Sequence, residues 1–289
     1  MSTTLLTGIV EKRRNENGFV VTEFVGTGDP AQNAFVETVA ACFRDTPPAL
    51  IFDEPVTFLR YGRTMLGVPL ISLYDIAEGT AELQRAAKLG LKGAMIAQAP
   101  PEPCPPYTSP LYDPFWAAAQ ELDMPIILHV ITGGAESRLS PSSYWDPNSV
   151  LGAILQPHEA QRTMAQLILS GVLERFPNLK VVLGHLGEGL PFHMQRLNLH
   201  VEMDAAHRGL KKTPLRYLRE NMIITTSGNF SIPAFMCCYL EMGPDNILFS
   251  VDWPFVDNPP GTDWMKQVPL GKEDMAKIYG ENAARLLKL

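Results

Sequence analysis

The chain has 289 residues, of which 46% are hydrophobic and 19% charged, and a formal net charge of -7. This is ordinary globular composition, long enough for one or two domains or for a single α/β barrel. The negative balance argues against a nucleic-acid or anionic-membrane surface and fits a small-molecule partner. Cys42, Cys104, Cys237 and Cys238 match neither a zinc pattern nor a secreted disulfide framework, so free thiols in a reducing compartment are expected. No apolar stretch approaches the roughly 18 to 20 residues of a membrane span. Met1 to Val10 lacks a basic start followed by a long apolar core, so the cytoplasm is the expected location.

The first 65 residues form a divergent segment expected to belong to the same single domain as residues 66–289. Gly18 to Phe24 and Ala49 to Phe52 are strand candidates, with a helical Pro30 to Phe43 between them. From Leu66 onward strand and helix signals alternate. Val68 to Leu73 reads as a strand, Asp75 as a helix cap, and Ile76 to Leu89 as a helix stopped by Gly90. Lys92 to Ala97 is the next strand. Pro100 to Pro114 is proline-rich and reads as loop, before a helix at Phe115 to Leu122 and a strand at Met124 to His129. Gly133 to Pro157 is a long polar segment, either a lid over the strand ends or a surface excursion. Helices are then expected at Glu159 to Phe176, Pro191 to His200, Thr213 to Glu220, Pro233 to Met242 and Lys272 to Lys288. Strands are expected at Lys180 to His185, Met222 to Thr226 and Asn246 to Asp252. Six strands alternating with helices imply a parallel sheet with covering helices. A closed barrel needs eight, so two would have to come from the first 65 residues.

Three of the apolar runs end in a residue with metal or proton chemistry: His129, His185 and Asp252. Polar groups at strand ends are where a β/α barrel carries its site. His129 is either a divalent-metal ligand or a hydrogen-bonded strand end. His185 is followed by Gly187-Glu188-Gly189, whose glycines permit close backbone approach. Glu188 either orients His185 and accepts its proton, or caps a tight turn. Asp252, beside Trp253-Pro254-Phe255, is either a partly desolvated acid or a turn residue. Arg196, eleven residues past His185, suits a carboxylate substrate if its helix faces the site and is otherwise a surface residue.

Together these segments resemble the metal-dependent decarboxylase branch of the amidohydrolase superfamily, which includes the γ-resorcylate, 2,3-dihydroxybenzoate and aminocarboxymuconate-semialdehyde decarboxylases. Carrying the resemblance are Leu111 to Ala119, Pro125 to His129, Leu169 to Pro177, Leu183 to Phe192, Thr226 to Phe230 and Leu248 to Phe255. It starts near Val68 and covers about three quarters of the chain. It implies a distorted (β/α)8 TIM-like barrel with atypical first strands, one divalent metal (zinc or manganese) and a homodimer or homotetramer. By resemblance His129 and Asp252 would bind metal, and His185, Glu188 and Asp252 would be catalytic. Arg196, Asn229, Trp253 and Phe255 would face the substrate. The implied reaction is non-oxidative loss of carbon dioxide from an aromatic or muconate-type carboxylic acid. A lactonase-type hydrolase or an inactive homologue are the alternatives. The branch carries His-x-His or Glu-x-His on its first strand, and this chain has neither; no histidine precedes His129. Glu11, Glu23, Asp53 and Glu54, among the carboxylates of that region, could offer oxygen ligands.

Overall fold

The computed structural model describes residues 67–100, 103–129, 152–204, 210–253 and 256–289, with the backbone of two strands nearer the N-terminus. The chain divides into two compact units, one of residues 1–67 with 88–91, the other of 68–87 with 92–289. In the first unit, β1 (Val10–Arg14) and β2 (Val20–Phe24) form an antiparallel hairpin with Val10 opposite Phe24 and Arg14 opposite Val20. Gly18 to Phe24 therefore contains a strand, but one paired antiparallel to its predecessor. Ala49 to Phe52 and Pro30 to Phe43 lie outside the described residues.

The second unit is built on a parallel sheet in chain order. Its strands are β3 (Ala94–Ala97), β4 (Ile126–His129), β5 (Val181–Leu183), β6 (Met222–Thr225) and β7 (Ile247–Leu248). Leu70 adds a parallel bridge to Met95, so all six strand segments expected after Leu66 contribute to one sheet. Ile96, Ile126, Val181, Ile224 and Ile247 are fully buried in it. Burying such side chains stabilises the fold by about 1.5–3 kcal/mol each, and two-sided burial explains why these strands read as continuous apolar runs.

The helices fill the crossovers. α1 (Ile76–Lys88) starts as expected at Asp75, whose Oδ1 accepts from Glu78 N at 3.0 Å. Helix α2 (Asp113–Glu121) begins earlier than Phe115, after a turn at Pro110–Tyr112 capped by Ser109. Pro114 does not delay it, because the first helical turn has no use for the missing N–H. α3 (Gly152–Leu169) starts before Pro157 and runs through it, so it takes in the end of the segment expected as loop. It is separated from α4 (Val172–Arg175) by Gly171 at φ 78. Then follow α5 (Leu190–Met203), α6 (Pro214–Asn221) and α7 (Ile232–Met242). Helix α8 (Asn258–Met265) was not legible, since Asn-Pro-Pro-Gly reads as a turn; both prolines fall in its first turn. The closing segment is not one helix. α9 (Lys272–Ala276) passes through a wide turn, where Asn282 N bonds Lys277 O, into α10 (Asn282–Leu287).

Two buried asparagines tie strand entrances together. Asn221, fully buried, donates through Nδ2 to Pro177 O and Leu179 O, both at 2.9 Å, ahead of β5. Asn282, 1% exposed, donates to Pro244 O at 2.7 Å and Ile247 O at 2.9 Å, at the start of β7.

Candidate active site

β5 ends at Leu183, and the chain then turns sharply. His185, Leu186, Gly187, Glu188 and Gly189 have φ of 47, 59, 71, 52 and 80, a left-handed run of five residues. A non-glycine residue there costs roughly 1–2 kcal/mol, so tertiary contacts must hold the run in place. Leu186 N donates to Thr225 O at 2.8 Å, at the end of β6. Leu186 O accepts from the Cys238 thiol of α7 at 3.3 Å. Burial, then the neighbouring Cys237, pushes the Cys238 thiol up to about 12, keeping it a donor. At Gly187 a Cβ would lie 2.8 Å from Met222 Cε and 2.9 Å from Ile224 Cγ2, so only glycine fits.

The turn brings Glu188 back onto His185. Nδ1 of the imidazole and Glu188 Oε1 are 2.5 Å apart, and the Glu188 side chain is 7% exposed. Its other oxygen, Oε2, is buried with no hydrogen-bond partner. On the far side of the ring, His185 Nε2 lies 3.6 Å from Asp252 Oδ2, a charge contact longer than a formed hydrogen bond. Burial alone would lower the imidazole pKa, but the polar interactions with Asp252 and Glu188, and both their charges, outweigh it and push it up to about 10. His185 is therefore an imidazolium at neutral pH, held between two carboxylates.

Asp252 is placed by a side chain replacing a strand. Past β7, Thr226 Oγ1 donates to Ser250 O at 2.6 Å and accepts from Ser250 N at 2.9 Å. The backbone ladder thus stops at Leu248, and the expected strand to Asp252 is shorter. Asp252 then adopts φ 73. Four of the six non-glycine residues with positive φ among the described residues are His185, Leu186, Glu188 and Asp252. Such clustering of strained backbone marks functional sites.

His129 ends β4, next to β5, and its carbonyl accepts from Gln98 N at 2.8 Å. Asn229, half-buried, donates its backbone N–H to Thr226 O at 3.0 Å, and Trp253, 43% exposed, follows Asp252. Arg196 is exposed on α5, and Phe255 lies outside the described residues. Among the described residues no group of three or more histidine, cysteine, aspartate or glutamate side chains could hold a metal ion. A catalytic zinc commonly keeps three protein ligands. The described residues alone therefore do not complete a metal site.

Other polar residues at the strand ends escaped the sequence reading. Thr225 Oγ1 and Ser227 Oγ are 2.6 Å apart, and Ser227 Oγ donates to Ser250 Oγ at 3.1 Å. The Tyr107 hydroxyl donates to Ala97 O, at the end of β3, at 3.0 Å. The signal for the hydroxyls was the run Thr225-Thr226-Ser227 directly after an apolar strand.

A family model described as amidohydrolase matches residues 6–289. The chain belongs to the amidohydrolase family. The match begins well ahead of Val68, where the short-motif resemblance starts. The amidohydrolase chain is 35% identical over 234 residues to the γ-resorcylate decarboxylase of a Rhizobium species, covering 78% of this chain and 70% of that protein. Among solved structures, 2,6-dihydroxybenzoate decarboxylase complexed with 2,6-dihydroxybenzoate superimposes with a TM-score of 0.71 at 30% identity, covering 89% of this chain and 76% of that one. Dihydroxybenzoic acid decarboxylase from Polaromonas sp., with bound manganese and the inhibitor 2-nitroresorcinol, gives a TM-score of 0.65 at 29% identity, covering 89% and 74%. The relatives of this amidohydrolase are thus carboxy-lyases with a TIM-barrel α/β fold. Strands β3 to β7 form an open parallel portion of it.

Proposed function

We propose that this protein is a non-oxidative decarboxylase of a phenolic carboxylic acid. The observation that carries the reading is His185 held between Glu188 and Asp252 at the strand ends, in a chain related to γ-resorcylate decarboxylases. A ring hydroxyl ortho or para to the carboxyl group enriches the carboxyl-bearing carbon in electrons. The His185 imidazolium passes its Nε2 proton to Asp252, which delivers that proton to the carbon, forming a C–H bond. The C–C bond then breaks, its electrons restore the aromatic ring, and carbon dioxide leaves. His185 faces Asp252, and Glu188 fixes the ring orientation. Asn229, Trp253 and Phe255 would flank the aromatic ring, and Arg196 would meet a carboxylate.

A divalent ion, manganese or zinc, is part of this proposal because related structures hold manganese. It would act as a Lewis acid toward substrate oxygens. His129 and Asp252 would be two of its ligands. A homodimer or homotetramer is proposed on the resemblance alone, and a cytoplasmic location on the cysteine pattern, with Cys104, Cys237 and Cys238 free among the described residues. No helix among the described residues is long and apolar enough to cross a membrane.

The test is incubation with dihydroxybenzoates in D2O with manganese or zinc. Release of carbon dioxide with one deuterium at the vacated ring carbon supports the reading. No gas from any hydroxybenzoate at saturating metal would sink it, and opening of a lactone instead would point to a hydrolase.

A further inference from the structure

β7 is the last strand of the described sheet, and its outer edge is covered by the closing helical segment. Along β7 and its extension, backbone groups alternate in direction. Leu248 O accepts from Thr226 N at 3.0 Å, and Ser250 N donates to Thr226 Oγ1, so these groups face β6. Ile247 and Phe249 therefore point to the opposite side. Ile247 O accepts from Asn282 Nδ2 at 2.9 Å, and Phe249 N donates to Ile278 O at 2.9 Å. A side-chain amide and a carbonyl of the wide turn thus take the place of a neighbouring strand. Asn282 and Ile278 are each 1% exposed. The Phe249 and Tyr279 rings meet at 5.2 Å between centroids. The extension so gripped runs on from Phe249 into Asp252.

We propose that Asn282 and the turn Lys277–Glu281 form a latch that positions Asp252 for proton transfer. Asn282 is a positioning residue: its contacts are to the backbone ahead of Asp252. The assignment rests on the reading of Asp252 as the proton donor, but the latch itself can be measured without turnover. Loss of the Asn282 amide leaves Pro244 O and Ile247 O without this donor and loosens β7 from its start, ahead of the segment leading to Asp252.

The experiment compares wild type with Asn282→Ala by hydrogen exchange and by fluorine NMR of 5-fluorotryptophan-labelled protein, where Trp253 reports on the residue after Asp252. Exchange across Ile247 to Asp252 should accelerate by about tenfold or more, while Val181 to Leu183 keeps its protection and the Trp253 resonance shifts. Unchanged exchange at Ile247 to Asp252, an equal loss over all strands, or an unmoved Trp253 resonance would overturn the latch. Deleting Gly280, which narrows the wide turn by one residue, carries the same readouts if Asn282→Ala does not fold. Where the wild type decarboxylates, Asn282→Ala should lower kcat with KM nearly unchanged. It should add little further loss in an Asp252→Asn background; an equal loss in both backgrounds would assign Asn282 a purely structural role. A wild type that releases no carbon dioxide refutes the functional reading, and exchange and fluorine NMR still decide the latch.

Discussion

A Cβ added to Gly228 would stand 3.1 Å from Asp252 Oδ2 and 3.5 Å from Asp252 Cβ. Gly228 also has φ +61, a conformation that an alanine adopts at a cost of roughly 1–2 kcal/mol. Gly228→Ala should therefore push the Asp252 carboxylate aside. The expected outcome is a folded protein with decarboxylation reduced by about a hundredfold, since small misplacements of reacting groups cost that much. Activity within a factor of two of wild type would show that Asp252 need not hold this position.

His185 predicts a pH dependence of stability in chelator-treated protein. Burial opposes its protonation, and Asp252 and Glu188 more than reverse that, so the folded pKa is raised to about 10. The unfolded value is about 6.5. A raised pKa means the native state holds the proton more tightly, so this contribution is fully present below about pH 6.5 and is lost as pH rises through about 10. Urea unfolding at pH 6, 8 and 10 should show wild type losing its advantage over His185→Gln across that range. A difference that stays flat, or grows with pH, would contradict the ion-pair arrangement.

Metal content tests His129. Purified protein reconstituted with manganese or zinc should hold near-stoichiometric metal, and His129→Ala should hold much less. Equal loading of both proteins would remove His129 from the ligand set.

Asn221 should matter for stability alone. Its amide satisfies two carbonyls at the entrance to β5 from a fully buried position. Asn221→Ala should cost about 2 kcal/mol, lowering Tm by roughly 3 °C for a chain of this size. A thermal melt within a degree of wild type would mean that water replaces both bonds.

The strands were legible because burial on both faces writes them as apolar runs, and their polar ends stood out for the same reason. Asp75 and Gly90 marked the ends of α1 through ordinary capping chemistry. The backbone of the site was not legible. Gly187 and Gly189 hint at a turn, but nothing local announces that His185, Leu186 and Glu188 share their left-handed conformation. That is imposed by Thr225 O, Cys238 and the packing around Gly187, all distant in sequence. The length of β7 was misread because a Thr226 hydroxyl takes over from the backbone ladder. Prolines misled in one direction: they hid the start of α3, and they hid α8, whose first turn tolerates them. The pairing of β2 with β1 depended on partner choice, which an isolated strand pattern does not encode.

The left-handed run after β5 also fixes when the site can exist. Residues that disfavour this conformation locally do not adopt it in the unfolded chain, and they gain nothing from one another. Their compensating partners, Thr225 O on β6 and Cys238 on α7, come into reach only after the two strands have paired and α7 has docked. Competence is therefore acquired late in folding and surrendered early in unfolding. Mild denaturant should silence the protein while the sheet still stands, and a chain paused during refolding would possess nearly all of its secondary structure and none of its chemistry.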